Sequence, residues 1–138
     1  MPDIPANING VVVEFSARVN KSVDQRVVDA LTAVVRPAIS KTHGLSRIYV
    51  SSANDNHEPP SRHVAGQGKA VDISRINGKK MSVHYPSDSA VKSIVDAMQT
   101  EFETYAHRRE NFGPCFKKKL GNPWTVSGHG DHVHFSVN

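Results

Sequence analysis

The sequence has very little cysteine, few aromatic residues and no long hydrophobic run. Cys115 is the single cysteine among 138 residues, which excludes an intramolecular disulfide and a zinc site built from several thiolates. No apolar stretch approaches the roughly 20 residues that a membrane-spanning helix needs, so we expect no stable membrane insertion. The N-terminus lacks a basic segment followed by an apolar one. We therefore expect no signal peptide and synthesis in a cytoplasm.

The charge balance is mildly basic, and the length is typical of one domain. A formal net charge of +4 favours attraction to polyanions such as nucleic acid, anionic lipid or an anionic cell wall. Hydrophobic residues make up 38% of the chain and charged residues 22%, which is enough apolar material for a core without disulfides. We predict a single domain over residues 1–138, in which residues 1–9 form a loose N-terminal arm.

The hydrophobic pattern predicts strands and two helices. Each predicted helix is amphipathic and follows a serine that could cap it, Ser22 for the first and Ser87 for the second. Short runs with strand composition or alternation lie at residues 11–15, 47–52, 69–74 and 132–137. Residues 108–128 are predicted to be irregular. The resulting expectation is an α+β fold, in which a small, mainly antiparallel sheet has two principal helices on one face and a polar cleft on the other.

Histidines are concentrated at the end of the chain. Three of the eight, His129, His132 and His134, lie within six positions. Polar and apolar residues alternate from His132 onward, so His132 and His134 are expected to leave the same face of a strand while the residues between them enter the core. Two imidazoles on one rigid face beside a carboxylate, here Asp131, are typical of a metal-dependent hydrolase.

A second polar constellation lies in the middle of the chain. Asp72 alternates with Val71 and Ile73, which places its carboxylate on the face of the predicted strand that is turned away from the core. His63 precedes a glycine-containing turn that leads into this strand. His63 and Asp72 could therefore come together in space as a pair of metal ligands.

Three segments together resemble the LAS-type zinc peptidases, the group of D-Ala-D-Ala carboxypeptidases and murein endopeptidases. They are Ser61-Arg62-His63, Ala70-Val71-Asp72-Ile73 and His132-Val133-His134. The group includes bacteriophage endolysins and shares its fold with the Hedgehog signalling domain. The resemblance implies Zn²⁺ ligands at His63, Asp72 and His134, a general base at His132 or Asp131, and substrate contacts at Ser61 and His129.

The resemblance also implies an activity, with two departures from the family pattern. It implies an endolysin-like, monomeric peptidase that hydrolyses a peptide bond of peptidoglycan and reaches the cell wall after release from the cytoplasm. The eight residues between His63 and Asp72 form a longer gap than the family's usual one, although the glycines in it tolerate unusual backbone angles. Residues 51–55 lack the arginine with which many relatives bind a substrate carboxylate. Its absence favours endopeptidase over carboxypeptidase action.

Three other interpretations remain open at this point. The chain could be a non-catalytic zinc-binding domain of the same fold that binds wall peptide or a protein partner. It could be a basic nucleic-acid-binding or nuclease domain, although aromatic residues are rarely interleaved with basic ones and neither predicted helix carries a basic stripe, so we expect no nucleic-acid partner. Finally, the histidines could serve only as hydrogen-bonding residues within a core.

Overall fold

The computed structural model describes residues 1–54 and 67–138, which adopt an α+β fold. Within these ranges, nine strands form one mixed, mostly antiparallel open sheet and there are three helices. The strands are β1 (Asn7–Ile8), β2 (Val11–Phe15), β3 (Arg47–Ser52), β4 (Ala70–Ile76), β5 (Lys79–Lys80), β6 (Arg108–Phe112), β7 (Lys117–Lys119), β8 (Asn122–Pro123) and β9 (Val133–Val137). The helices are α1 (Gln25–Val34), α2 (Met81–His84) and α3 (Ser89–Phe102). The predicted α+β class and the mainly antiparallel character of the sheet are confirmed.

The terminal strand β9 lies inside the sheet. The strand order is β1-β2-β3-β4-β9-β6-β7-β8, and β5 pairs with β4 off this path. Both neighbours of β9 run antiparallel to it, and its whole length is buried. A strand with a neighbour on each side has all its backbone groups within reach of partners, so the residues of β9 are held rigidly.

The two longer helices share one core with the sheet. Buried apolar side chains of α1 and α3 belong to the same cluster as Val71 on β4 and Phe135 on β9. The rings of Phe102 and Phe135 stack with centroids 4.3 Å apart, and burial of such a side chain contributes about 1.5–3 kcal/mol. Because side chains alternate along a strand, Asp72 and His134 leave the opposite face. No helix in the described part of the chain is long and apolar enough to cross a bilayer.

The two longer helices, α1 and α3, each begin with an aspartate cap instead of the predicted serine cap. The Asp24 side chain accepts a hydrogen bond from the Arg26 amide at 2.9 Å, at the start of α1. The Asp88 side chain accepts from two amides in the first turn of α3. The predicted caps at Ser22 and Ser87 are therefore wrong by one or two residues. An aspartate one or two residues after each serine satisfies the free amides and adds a favourable charge at the helix N-terminus.

The N-terminal residues are not the loose arm that their prolines and asparagines predicted. Ile4 and Ile8 are only 2% and 4% exposed and belong to the core. The Ile4 amide donates to the Lys21 carbonyl at 2.9 Å, and β1 pairs with β2. Two buried isoleucines and this backbone pairing outweigh the loss of chain entropy, so the segment is ordered.

The stretch predicted to be irregular, residues 108–128, contains β6, β7 and β8. β6 has few residues typical of strands, but hydrogen bonds of buried amide side chains hold it against α3. Asn111, only 1% exposed, donates to the Gln99 carbonyl at 2.8 Å and accepts from the Gln99 side chain at 3.1 Å. This network connects β6 to α3, and it positions Glu110 beside β9.

Candidate functional site

Asp72 and His134 face each other across the β4–β9 pair. The antiparallel register places the two residues directly opposite, and His134 Nδ1 lies 2.9 Å from Asp72 Oδ1. His134 is only 7% exposed. Directly opposite residues of an antiparallel pair have adjacent side chains, so the strand pairing itself brings these two groups together. Two of the three predicted metal ligands are therefore neighbours.

Glu110 on β6 occupies the other side of the His134 ring, and nothing in the sequence had indicated it. Its Oε1 atom accepts from His134 Nε2 at 3.0 Å and from Ser136 Oγ at 2.9 Å. Burial alone would raise the pKa of Glu110, but the hydrogen bonds from His134 and Ser136 outweigh it and lower the pKa to about 2. Glu110 is thus an anion that fixes the orientation of His134.

The two carboxylates set the protonation of His134. Burial favours the neutral imidazole, but the hydrogen bonds to Asp72 and Glu110 outweigh it and raise the pKa of His134 to about 9. With Nε2–H directed at Glu110, Nδ1 is the atom directed at Asp72. A histidine that gives its second ring N–H to a carboxylate is typical of metal-binding histidines, whose other nitrogen binds the ion. If His134 and Asp72 held a metal cation, the cation would replace the Nδ1 proton of His134.

His132 and Asp131 form a second pair at the edge of the same site. His132 Nδ1 donates to Asp131 Oδ1 at 2.7 Å, and His132 Nε2 lies 3.9 Å from Asp72 Oδ2. The hydrogen bond from His132 is the main cause that lowers the pKa of Asp131. The Asp131 side chain is 67% exposed, so this carboxylate remains in contact with solvent. Asp131 therefore orients His132 so that Nε2 points towards Asp72.

His129 completes a group of three imidazoles. Its ring centroid lies 5.0 Å from that of His132 and 5.7 Å from that of His134. The residue has a left-handed backbone with φ 65°, which a non-glycine residue adopts only when its surroundings impose it. Burial lowers the pKa of His129, and the neighbouring histidines add to that effect. The predicted residues His129, Asp131, His132 and His134 are thus close together, as is Asp72.

A cleft of about 350 Å³ opens beside these groups. Its lining residues include Asp72, Asp131 and His132, and also Arg75 and Lys80. A concave site with convergent polar groups is typical of a binding or catalytic cleft. The basic residues in its wall were not predicted from the sequence.

Two predicted site residues, Ser61 and His63, lie outside the described ranges 1–54 and 67–138. Within those ranges, no three His, Cys, Asp or Glu side chains form a complete group able to hold a metal ion. Asp72 and His134 have the donor types and the proximity that a zinc ion requires. The third ligand, His63, stays a prediction.

Comparison with known proteins assigns no function to this site. The sequence matches no protein-family model, and neither a curated protein nor a solved structure is significantly similar to it. The function of the site therefore has to be inferred from its own side chains and their geometry.

Proposed function

We propose that this protein is an endolysin-like, zinc-dependent peptidase that hydrolyses a peptide bond in the stem peptide or cross-link of bacterial peptidoglycan. The observation that carries the proposal is the antiparallel β4–β9 pairing, which brings Asp72 within 2.9 Å of His134 while His132 Nε2 lies 3.9 Å from the same carboxylate. Helices on one face of the sheet and this cleft on the other agree with the Hedgehog/DD-peptidase-like arrangement that the motifs imply. A net charge of +4 favours adsorption to an anionic wall.

The proposed metal site consists of His63, Asp72 and His134. Two neutral imidazoles and one carboxylate would hold a zinc ion and leave it a net positive charge. When bound, zinc supplies Lewis acidity, which lowers the pKa of bound water from ~15.7 to ~7 and polarises the scissile carbonyl. Glu110 supports the site from behind His134, because its hydrogen bond keeps Nδ1 directed at Asp72.

Proton transfer is assigned to His132. The Asp131 carboxylate accepts the Nδ1 proton of His132, so the lone pair of the neutral imidazole is on Nε2, the nitrogen nearer Asp72. A base oriented in this way by a third group can take a proton from the attacking water and return it to the leaving amine. Asp131 is then a positioning residue. His129 and Ser61 are left with the predicted role of contacting substrate.

The proposal is tested by mass spectrometry of fragments released from purified murein. We expect the protein to release peptide-containing fragments with new amino and carboxyl ends, a chelator to stop the release, and added zinc to restore it. Zinc binding without fragments would indicate a non-catalytic zinc domain. Cleavage of DNA incubated in parallel would indicate a nuclease, and cleavage of murein that is insensitive to the chelator would refute the metal mechanism.

Glu110→Gln is expected to weaken zinc binding roughly 10- to 100-fold, as is usual when the hydrogen-bonding partner of a metal-binding histidine is changed. The substitution keeps the shape of the side chain but removes the charge that fixes the His134 ring. Competition with a chelating dye measures the zinc dissociation constant. Glu101→Gln is the control, because the Glu101 side chain is 40% exposed and its ion pair with Arg36 spans 3.7 Å. Equal zinc affinity in both variants would show that Glu110 does not support a metal ligand.

A further inference from the structure

An irregularity in β4 changes the direction of Arg75. Against β3, Val50 pairs with Ile73 and the preceding residue, Tyr49, pairs with Arg75. Ser74 is thus an extra residue between two paired positions, which is a β-bulge. Ile73 is fully buried on the core face, and regular alternation would have placed Arg75 on that face as well. The bulge instead turns Arg75 to the face that carries Asp72, where it lines the cleft.

The Arg75 guanidinium is held in place by an aromatic ring. Its central carbon lies 4.2 Å from the ring centroid of Tyr49, the residue opposite it on β3. Stacking on an aromatic face orients a guanidinium while leaving its N–H groups available at the edge. Lys80 pairs with Arg75 across the β4–β5 hairpin and lines the same cleft. The two cations are therefore adjacent in the wall of the cleft.

Within residues 1–54 and 67–138, these two cations differ from the neighbouring Lys79 in having no anionic partner. Lys79 lies on the same short strand and forms an ion pair with Asp88 at 2.5 Å. Among the residues that the structure describes, no carboxylate forms an ion pair with Arg75 or with Lys80. Two like charges placed side by side repel each other, so an anion between them is favoured.

The spacing along β4 indicates where that anion belongs on a substrate. Arg75 follows Asp72 by three residues, one of which is the extra residue Ser74 of the bulge, and a regular strand rises about 3.3 Å per residue, so the two positions are separated by roughly 7–10 Å. An extended peptide covers that distance with about two or three residues. The carboxylate of a terminal residue next to the hydrolysed bond would be too close to the reacting carbonyl to reach this part of the cleft.

We propose that Arg75 and Lys80 form a subsite that binds a carboxylate of the substrate peptide about two or three residues from the hydrolysed bond. This inference rests on the proposed peptidase function for the position of that bond. Guanidinium and carboxylate match as a bidentate pair, and Lys80 adds a second charge. The subsite agrees with endopeptidase action, and it supplies the carboxylate recognition that is missing from residues 51–55.

The subsite is tested by calorimetric binding of purified muropeptides to the His132→Ala protein, in which the absence of the base slows turnover roughly 10²- to 10⁴-fold. The same muropeptides are measured after carbodiimide and ammonia have converted their carboxylates to carboxamides. We expect amidation and Arg75→Gln each to weaken binding roughly tenfold or more, and Arg75→Gln to have no further effect on the amidated ligand. Lys80→Gln should cause a smaller loss. Lys79→Gln, the matched control, removes the same charge from the same hairpin outside the cleft and should leave binding unchanged.

Each outcome separates the subsite from the peptidase activity. Carboxylate-dependent binding that Arg75→Gln abolishes, together with a parent protein that releases no murein fragments, would support the subsite and refute the peptidase. Fragment release that changes neither with amidation nor with Arg75→Gln would support the peptidase and overturn the subsite. Equal binding of native and amidated muropeptides, or no binding of either, would overturn the subsite. Thermal unfolding of each variant excludes misfolding as the cause of a loss.

Discussion

Replacing His134 with alanine is expected to abolish both zinc binding and murein hydrolysis. The ring joins Asp72 and Glu110, at 2.9 and 3.0 Å, so its removal deletes a proposed ligand and leaves two carboxylates without the group between them. Loss of the metal removes several kcal/mol of transition-state stabilisation, which corresponds to more than about a thousandfold in rate. Elemental analysis of the purified protein and the rate of clearing of a murein suspension measure the two effects.

His107→Ala is the matched control for this substitution, because His107 lies on the surface. It should retain the zinc content and the clearing rate of the parent protein. His134→Gln provides a second variant of similar size, since the alanine substitution also leaves a buried carboxylate without its partner and destabilises the fold by about 1–3 kcal/mol. If folded His134→Ala protein kept its zinc and its activity, His134 would be a structural histidine that only joins β4, β9 and β6.

Replacing His132 with alanine is expected to have a different signature, in which activity is lost and zinc is retained. Removal of a general base typically lowers the rate 10²- to 10⁴-fold. His132 is not among the proposed ligands, and its Nε2 lies 3.9 Å from Asp72 Oδ2, so the metal site should survive. The turnover rate on purified muropeptides and the zinc content of the same preparation measure this separation.

Asp131→Ala distinguishes the two candidate bases. If Asp131 only positions His132, its removal should cost less than the removal of His132, since the Asp131 side chain is 67% exposed and water can replace its hydrogen bond. We expect a loss of roughly tenfold or less, on the scale of one solvent-exposed hydrogen bond. A loss in Asp131→Ala as large as in His132→Ala, or larger, would assign the base to Asp131. Loss of zinc in His132→Ala would make His132 a ligand.

Local periodicity in the sequence predicted the direction of several side chains in the site. The alternation around His134 and around Asp72 predicted that each side chain leaves the face opposite an apolar one, and the structure confirms this for both strands. The helical spacing in α3 likewise predicted its buried face. These predictions hold because the side-chain direction within an element is set by backbone geometry over a few residues, whatever the element packs against.

Features that depend on pairing between distant segments were missed. Glu110 belongs to a stretch without strand periodicity. Its role arises because β6 pairs with β9, which brings Glu110 beside His134, 24 residues further along the chain. Arg75 was missed for a related reason. A bulge shifts its direction, and only the register against β3 reveals that bulge. The loose arm predicted at the N-terminus was wrong because burial of Ile4 depends on a core assembled from the whole chain.

By itself, the sequence determined which residues share a face of each strand and helix, and therefore which polar side chains are turned away from the core. Only the tertiary structure decided that β9 lies between β4 and β6, that Asp72 lies opposite His134, and that Glu110 lies on the other side of that ring. The physical reason is that strand order and register depend on many small cross-strand contacts and on the closure of a common core. These contacts join segments that are distant in the sequence, so the pattern of one segment does not predict them.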